Sequence, residues 1–274
     1  MKKIILPVIA IALALANCAP PRPAATPSKP APAPPVKEKP AAPAAPAPRP
    51  ETVATVNTLS TSEKAAGWKL LFDGGTTDGW HAYGSRSIGN AWKPINGTLF
   101  FDAGNKEGSQ IKSGGDIVTD EEYGNFELQL DWKIDRGGNS GICFYVKEDK
   151  NKYPHMWSTG PEFQLLDNDR HSDGKIPKHR AGDLYDLISA KPEPVVRPLE
   201  WNHVLIRANN GKLDFFLNEE HILSTQLWGD AWQRLIAGSK FKNMPDFGTF
   251  RTGRIGLQDH GNNVWFRNIK IRRL

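Results

Sequence analysis

The residues best suited to chemistry lie in one run, EFQLLDNDRHSDGK from Glu162 to Lys175, which begins as apolar alternation and ends as acids around a histidine. A metal loop is one use for it. Asp167, Asp169, His171 and Asp173 stand at alternate positions as in a calcium loop, but Ser172 sits where an EF-hand needs its turn glycine and Lys178 where it needs its last glutamate. That excludes an EF-hand and leaves a looser divalent-metal site open, while the zinc signature HExxH is missing. By itself the sequence requires no cofactor. A carboxylate pair is the second use. On a strand, Glu162 and Asp167 would be roughly 16 Å apart and on opposite faces unless a bulge intervenes, whereas an acid and a nucleophile in a glycosidase need about 5 to 5.5 Å. The third use is a turn: Asn168, Asp169, Ser172, Asp173 and Gly174 are turn formers, and Asp169 and Asp173 are expected to be solvated. Glu162 and Gln164 differ, because they share one strand face while Phe163 and Leu165 hold the other. If the latter point into a core, the former line the opposite, concave or exposed, surface.

The elements that must position these groups are mostly strands. Phe126, Leu128, Leu130, Trp132 and Ile134 alternate with Glu127, Gln129, Asp131 and Lys133, the pattern of a half-buried strand. A Gly-rich turn, Asp135 to Gly141, leads into Ile142–Val146 and predicts a hairpin. Further strands are expected at Gly97–Phe101, Val204–Ala208, Leu213–Leu217, Gly253–Gln258 and Val264–Ile271, two of them behind the Asn-Gly pairs Asn96-Gly97 and Asn210-Gly211 that favour tight hairpins. Helical candidates are short, chiefly Ser62–Ala66 and Leu227–Ile236. Many short antiparallel strands in the 212 residues from Glu63 to Leu274 argue for one all-β domain, a two-sheet antiparallel sandwich of jelly-roll type. Its single cysteine, Cys143, lies in an apolar run with no basic neighbour, which predicts a buried structural thiol.

Ahead of the domain, residues 1–18 carry Lys2 and Lys3, an apolar stretch from Ile4 to Ala16, and Leu15-Ala16-Asn17-Cys18. This is the layout of an export signal, and its end resembles a bacterial lipobox, so Cys18 is the expected lipidation site. Residues 19–62 form a Pro/Ala-rich stretch, with 13 of the chain's 22 prolines between Pro20 and Pro50. It cannot bury a core and is expected to be a disordered, largely polyproline tether. Residues 1–62 also hold 7 of the 35 Lys+Arg and 2 of the 30 Asp+Glu, so the domain has 28 of each and no net charge. The overall pI near 9.1 therefore gives no reason to expect nucleic acid as a partner. Membrane contact is expected through the N-terminal lipid alone, in a bacterial cell envelope, at the outer membrane and facing the periplasm.

Several stretches together are similar to a known family: Trp68-Lys69-Leu70-Leu71-Phe72-Asp73-Gly74 with Asp78-Gly79-Trp80, Tyr123-Gly124-Asn125-Phe126-Glu127-Leu128, Asn139-Ser140-Gly141-Ile142, Glu162-Phe163-Gln164-Leu165-Leu166-Asp167, Trp201-Asn202, Gly256-Leu257-Gln258-Asp259-His260-Gly261 and Phe266-Arg267-Asn268-Ile269. In this order they resemble the 3-keto-disaccharide hydrolase domain family over essentially all of residues 63–274. The resemblance implies a concanavalin A-like sandwich, the fold of many lectins and retaining glucanases, and activity on glycosides whose glucose ring is a ketone at C3. Glu162-x-Gln164-x-x-Asp167 has the spacing of the Glu-x-Asp-x-x-Glu strand of those glucanases, with two of three positions changed.

A ketone at C3 acidifies the proton at C2. Its removal gives an enolate that can expel the group at C1, after which water adds back; the reaction needs a base, a donor for the enolate oxygen and an acid for the leaving oxygen. Glu162 and His260 are the candidates for acid and base, His260 because Asp259 precedes it, Gly261 frees the backbone behind it and imidazole titrates near neutral pH. Asn139, Gln164 and Tyr185 can bond hydroxyls or the enolate, Asp167 is counted with the substrate-binding set, and His179 and Arg180 can reach over from a loop. Trp157, in the polar loop Tyr153–Ser158, is the candidate sugar platform. The expected function is cleavage of 3-keto-glycosides by elimination and hydration. The alternatives are a non-catalytic lectin-like carbohydrate-binding module, and conventional glucanase-like hydrolysis by Glu162 and Asp167.

Overall fold

Strand-forming alternation builds two antiparallel sheets in the structure, a computed structural model that describes residues 56–104, 106, 107, 110, 111 and 113–274. The expected export signal, Cys18 and the expected tether up to residue 55 lie outside the described residues. In chain order the strands are β1 (Lys69–Leu70), β2 (Trp80–Ala82), β3 (Trp92–Ile95), β4 (Thr98–Phe101), β5 (Lys106–Glu107), β6 (Gln110–Ile111), β7 (Ile117–Thr119) and β8 (Phe126–Ile134). They continue with β9 (Asn139–Val146), β10 (Glu162–Leu166), β11 (Asn202–Asn209), β12 (Lys212–Leu217), β13 (Glu220–Gln226), β14 (Arg254–Leu257) and β15 (Val264–Arg273). The larger sheet runs β13-β12-β11-β8-β15-β4-β3 with β1 also on β15, the smaller runs β10-β9-β14-β7-β2, and β5 pairs with β6. Two short helices, α1 (Thr61–Ala65) and α2 (Asp230–Ala237), accompany them.

Both Asn-Gly pairs make the turns their residues favour. Asn96 and Gly97 join β3 to β4, and Asn210 and Gly211 join β11 to β12, all four with positive φ, the backbone of the tight primed turns. The predicted hairpin between Phe126–Ile134 and Ile142–Val146 does not form. β8 pairs with β11 and β15, and β9 with β10 and β14, so the turn at Asp135–Gly138 carries the chain from one sheet to the other. The apolar face of β8 buries against Ile142 and Phe144 across the sandwich, with the Phe126 and Phe144 rings 6.4 Å apart. Alternation shows which face a strand buries and leaves its neighbour undecided.

The core between the sheets takes Leu128, Leu130 and Trp132 from β8, Phe163 and Leu165 from β10, Val204 and Ile206 from β11 and Phe215 from β12. Each such side chain contributes about 1.5 to 3 kcal/mol when fully buried. Packing begins ahead of Glu63: Asn57 donates to Asn268 Oδ1 at 2.7 Å and to the Gly97 carbonyl, and accepts from the Asn268 N–H at 2.8 Å. Cys143 is a free, fully buried thiol on the outer side of the smaller sheet, packed with Tyr83, Val118, Val146 and Met156.

Candidate active site

With Phe163 and Leu165 in the core, the next positions on β10, Glu162 and Gln164, face outward from the smaller sheet. They are nonetheless buried, at 5% and 1% exposure, as is Asn139 of β9 at 2%. Connecting segments cover this face. One lies along the free edge of β10, where the Gln164 N–H donates to the Asp183 carbonyl, the Gly182 N–H to the Gln164 carbonyl and the Tyr185 N–H to the Glu162 carbonyl. That segment brings in Tyr185. The 3-10 turn Met156–Ser158 supplies Trp157, and a second 3-10 turn after α2, Lys240–Asn243, supplies Lys240. The turn following β14 supplies Gln258 and His260. Its course is set by Ser140 Oγ donating to the Gln258 carbonyl at 2.8 Å and the Gln258 N–H donating to the Gly141 carbonyl at 3.0 Å.

These eight side chains, Asn139, Trp157, Glu162, Gln164, Tyr185, Lys240, Gln258 and His260, line one cavity of about 170 Å³. Gly141 makes room for it. Cys143 stands opposite Glu162 in the β9–β10 register, and Gly141 is the next residue of β9 on that face. A Cβ at Gly141 would lie 1.8 Å from Glu162 Oε1, so a side chain there would evict the carboxyl.

The charges are arranged unusually. Burial, the largest cause, pushes Glu162 up to about 8, with Asp116 and Asp173 acting in the same direction and Lys240 against it. The acid is therefore mostly protonated at neutral pH. Lys240 reaches its ammonium over the Tyr185 ring at 4.1 Å and within 5.6 Å of the Trp157 centroid. Desolvation lowers its pKa while the nearby carboxylates raise it, and among the described residues no carboxylate forms an ion pair with it. His260 stands at the mouth, where desolvation first and His171 second hold it below its ordinary value, so its ring is neutral near pH 7; the two rings are 5.8 Å apart, edge to face. Three buried amide oxygens in the cavity wall, Asn139 Oδ1, Gln164 Oε1 and Gln258 Oε1, have no hydrogen-bond partner. These oxygens have no protein partner and can accept from whatever fills the cavity, water or the hydroxyls of a ring. Beneath the site, burial raises the Cys143 thiol well above its usual value, which leaves it unreactive.

Other residues named from the sequence lie outside the cavity. Asp167 accepts from the Gly137 N–H at 2.7 Å and the Asp169 N–H at 3.2 Å, bracing the crossover between the sheets. His179 sits behind Tyr185, with ring centroids 4.3 Å apart, its Nε2 3.0 Å from Asp186 Oδ1 and its Nδ1 3.4 Å from Asp173 Oδ2. Arg180 donates to the Gly174 carbonyl and pairs with Glu193. Asp173 is half-buried and not the solvated turn residue expected, because His171, His179 and Tyr185 all close on it. Among the described residues no cluster of three or more His, Cys, Asp and Glu side chains is arranged to hold a metal ion. Two cavity residues carried no sequence argument of their own. Gln258 lies in the motif that ends in His260, whereas Lys240 stands in a plain Ser-Lys-Phe context.

An acid, an imidazole and an ammonium around a polar, ring-sized cavity on a β-sandwich are the equipment of a glycoside hydrolase, and the relatives of this chain agree. A 3-keto-disaccharide hydrolase of Bacteroides thetaiotaomicron is 33% identical over 239 residues, 80% of this chain and 82% of that protein. The structure of a provisionally assigned glycosyl hydrolase of Parabacteroides distasonis matches with a TM-score of 0.72 at 33% identity, over 80% of this chain and 99% of the other. A second such structure from the same organism matches with a TM-score of 0.54 at 27% identity, covering 76% and 99%. The chain belongs to the family of 3-keto-alpha-glucoside-1,2-lyase-like domains, whose model matches residues 67–272.

Proposed function

We propose that this protein cleaves glycosides oxidised to a ketone at C3 of glucose, by elimination across C1 and C2 followed by hydration. The observation that carries the reading is the convergence of an uncharged carboxyl (Glu162), an ammonium without a carboxylate partner (Lys240) and a neutral imidazole (His260) on one ring-sized cavity. Neighbouring groups whose environments push their pKa values apart divide acid from base. His260 takes the C2 proton, and the electron pair moves onto the C3 oxygen, where the Lys240 ammonium and the protonated Glu162 donate hydrogen bonds. As the enolate collapses, the C1–O bond breaks and the leaving oxygen takes the proton held by His260. Water then adds, hydroxyl to C1 and hydrogen to C2, which restores the keto sugar and makes the net reaction a hydrolysis. Asn139, Gln164 and Gln258 accept from ring hydroxyls, and Trp157 offers an apolar face. An ordinary double displacement lacks its second carboxylate, since Asp167 is spent on the crossover turn.

The test incubates the purified protein in deuterated water with a disaccharide and with its 3-keto derivative. Cleavage of the keto sugar alone, with deuterium entering C2 faster than in an enzyme-free control, is the expected result. Cleavage without label at C2 would mean direct displacement, and binding without cleavage would mean a lectin-like module. Attachment through Cys18 at the periplasmic face of the outer membrane completes the proposal, and loss of palmitate labelling in Cys18→Ser is its check.

A further inference from the structure

The ring-sized cavity is too small for two sugars and opens onto a larger space, about 800 Å³ in volume, that the chemistry above leaves unused. Two features join them. His260 lines both. His155, on the larger space, stacks on Trp157, on the smaller, with centroids 4.6 Å apart and planes 6° from parallel. The stack covers one face of each ring and leaves the outer face of His155 to the larger space.

The far side is built largely from bare backbone. Gly115 and Gly261 have φ of 110° and 79°, and a Cβ at either would meet nothing within 4 Å, so the room in front of them is open to a ligand. Between them stands Asp116. Its Oδ1 accepts from the Asp259 N–H at 3.0 Å, while Asp259 Oδ2 accepts from the Gly115 N–H at 2.7 Å and Oδ1 from the Gly261 N–H at 2.8 Å. This bonding fixes Asp116 against the residue that precedes His260 and leaves its Oδ2 without a hydrogen bond among the described residues. Burial is the main cause holding Asp116 near 7, with the Asp259 carboxylate adding to it against the Asp259 N–H, so the carboxyl can give as well as take a hydrogen bond near neutral pH. Lys150 lines the same space, its ammonium 5.2 Å from the centre of the Tyr83 ring.

We infer that this second space is the subsite for the departing sugar of a disaccharide, with Asp116 and Lys150 reading its hydroxyls and the outer face of His155 meeting its apolar face. The assignment rests on the cleavage proposed above. The two spaces share one side chain, His260, which the proposed reaction places at the C1 oxygen of a keto ring in the smaller cavity, and the larger space lies on the other side of it for a second ring. Polar groups built to meet hydroxyls discriminate strongly against a partner that lacks them, so the subsite makes the protein selective for a sugar over a small alcohol as leaving group.

The experiment compares kcat/KM for a 3-keto-disaccharide and for methyl 3-keto-glucoside in the wild type, Asp116→Asn and Lys150→Ala. The ratio of the two values should fall at least tenfold in Asp116→Asn and severalfold in Lys150→Ala, an exposed position whose change leaves folding intact. An unaltered ratio in both variants overturns the assignment. Saturation-transfer NMR with the unoxidised disaccharide keeps the subsite separate from the reaction. Protons of both rings should be saturated by the wild type, and those of one ring weakened by Asp116→Asn. Saturation confined to one ring in the wild type, or none, overturns the subsite; failure to cleave any keto sugar with both rings still saturated overturns the reaction and leaves the subsite standing.

Discussion

Replacing Glu162 by glutamine separates what the buried acid does for the reaction from its effect on the fold. In the unfolded chain the group titrates near its ordinary 4.5, and in the folded protein near 8. Between those values the folded state holds a proton that the unfolded state has released, so the acid's contribution to stability is fully present below about 4.5 and is lost as pH rises toward 8. A gap of roughly three and a half pH units at about 1.36 kcal/mol each makes that loss about 5 kcal/mol at most. Glutamine keeps the shape and does not titrate, so Glu162→Gln should gain on the wild type by several kcal/mol between pH 5 and pH 8.5. Urea unfolding across that range measures it, since the midpoint and slope give the stability at each pH. Glutamine still offers an N–H, a weaker donor than a carboxylic acid, so turnover should fall, by less than the about 10²- to 10³-fold that losing an oxyanion donor outright costs. The wild-type pH–rate profile should peak between the lowered pKa of His260 and about 8. Parallel stability curves for the two proteins would show Glu162 ionised in the fold, and the role of a protonated donor would be refuted.

The other predictions concern groups around it. Lys240→Met should cut kcat by about 10²-fold or more with a smaller change in KM, because its charge is needed most when the enolate forms; steady-state kinetics on the keto substrate checks this. Gly141→Ala places a Cβ 1.8 Å from Glu162 Oε1, so turnover should drop at least tenfold while circular dichroism still reports the sandwich. Asp167→Ala uncaps the N–H groups of Gly137 and Asp169 and should lower stability by about 1 to 3 kcal/mol. If it abolished turnover without destabilising the fold, Asp167 would belong to the reaction after all.

The sandwich was legible because it depends on a local signal repeated many times. Phe126 to Ile134 alternate, Asn96-Gly97 and Asn210-Gly211 mark tight turns, and Phe163 and Leu165 identify the core face of β10, which makes Glu162 and Gln164 outward-facing by subtraction. The pairing of β8 was not legible, because alternation carries no record of whether the next apolar strand lies beside or across. The lining of the cavity was legible where a residue's place follows from its own strand, as for Glu162, or from a tight motif, as for His260. It failed where position depends on a distant loop. Lys240 reaches the cavity because Asp186 Oδ2 accepts its backbone N–H at 2.6 Å, a contact across 54 residues that no spacing reveals. For Asp167, side-chain chemistry was equally consistent with a ligand contact and with the turn-bracing role it has.

What distinguishes this face from an ordinary covered sheet is that its polar groups are costly to the fold. A buried amide oxygen is costly unless something donates to it, and Asn139, Gln164 and Gln258 each turn one without a protein partner toward a single cavity. Glu162 adds a carboxyl that cannot ionise easily, and Lys240 an ammonium partly stripped of water. Apolar residues of similar size in these positions would give the sandwich a firmer outer layer, as Cys143, Val146 and Met156 do in their own cluster. The polar groups are compensated when something with several hydroxyls and an oxygen that develops negative charge enters the cavity. A 3-keto sugar has both features. An unoxidised sugar has the hydroxyls alone, and on the proposed reading it would meet the amides while giving Glu162 and Lys240 no developing charge to stabilise.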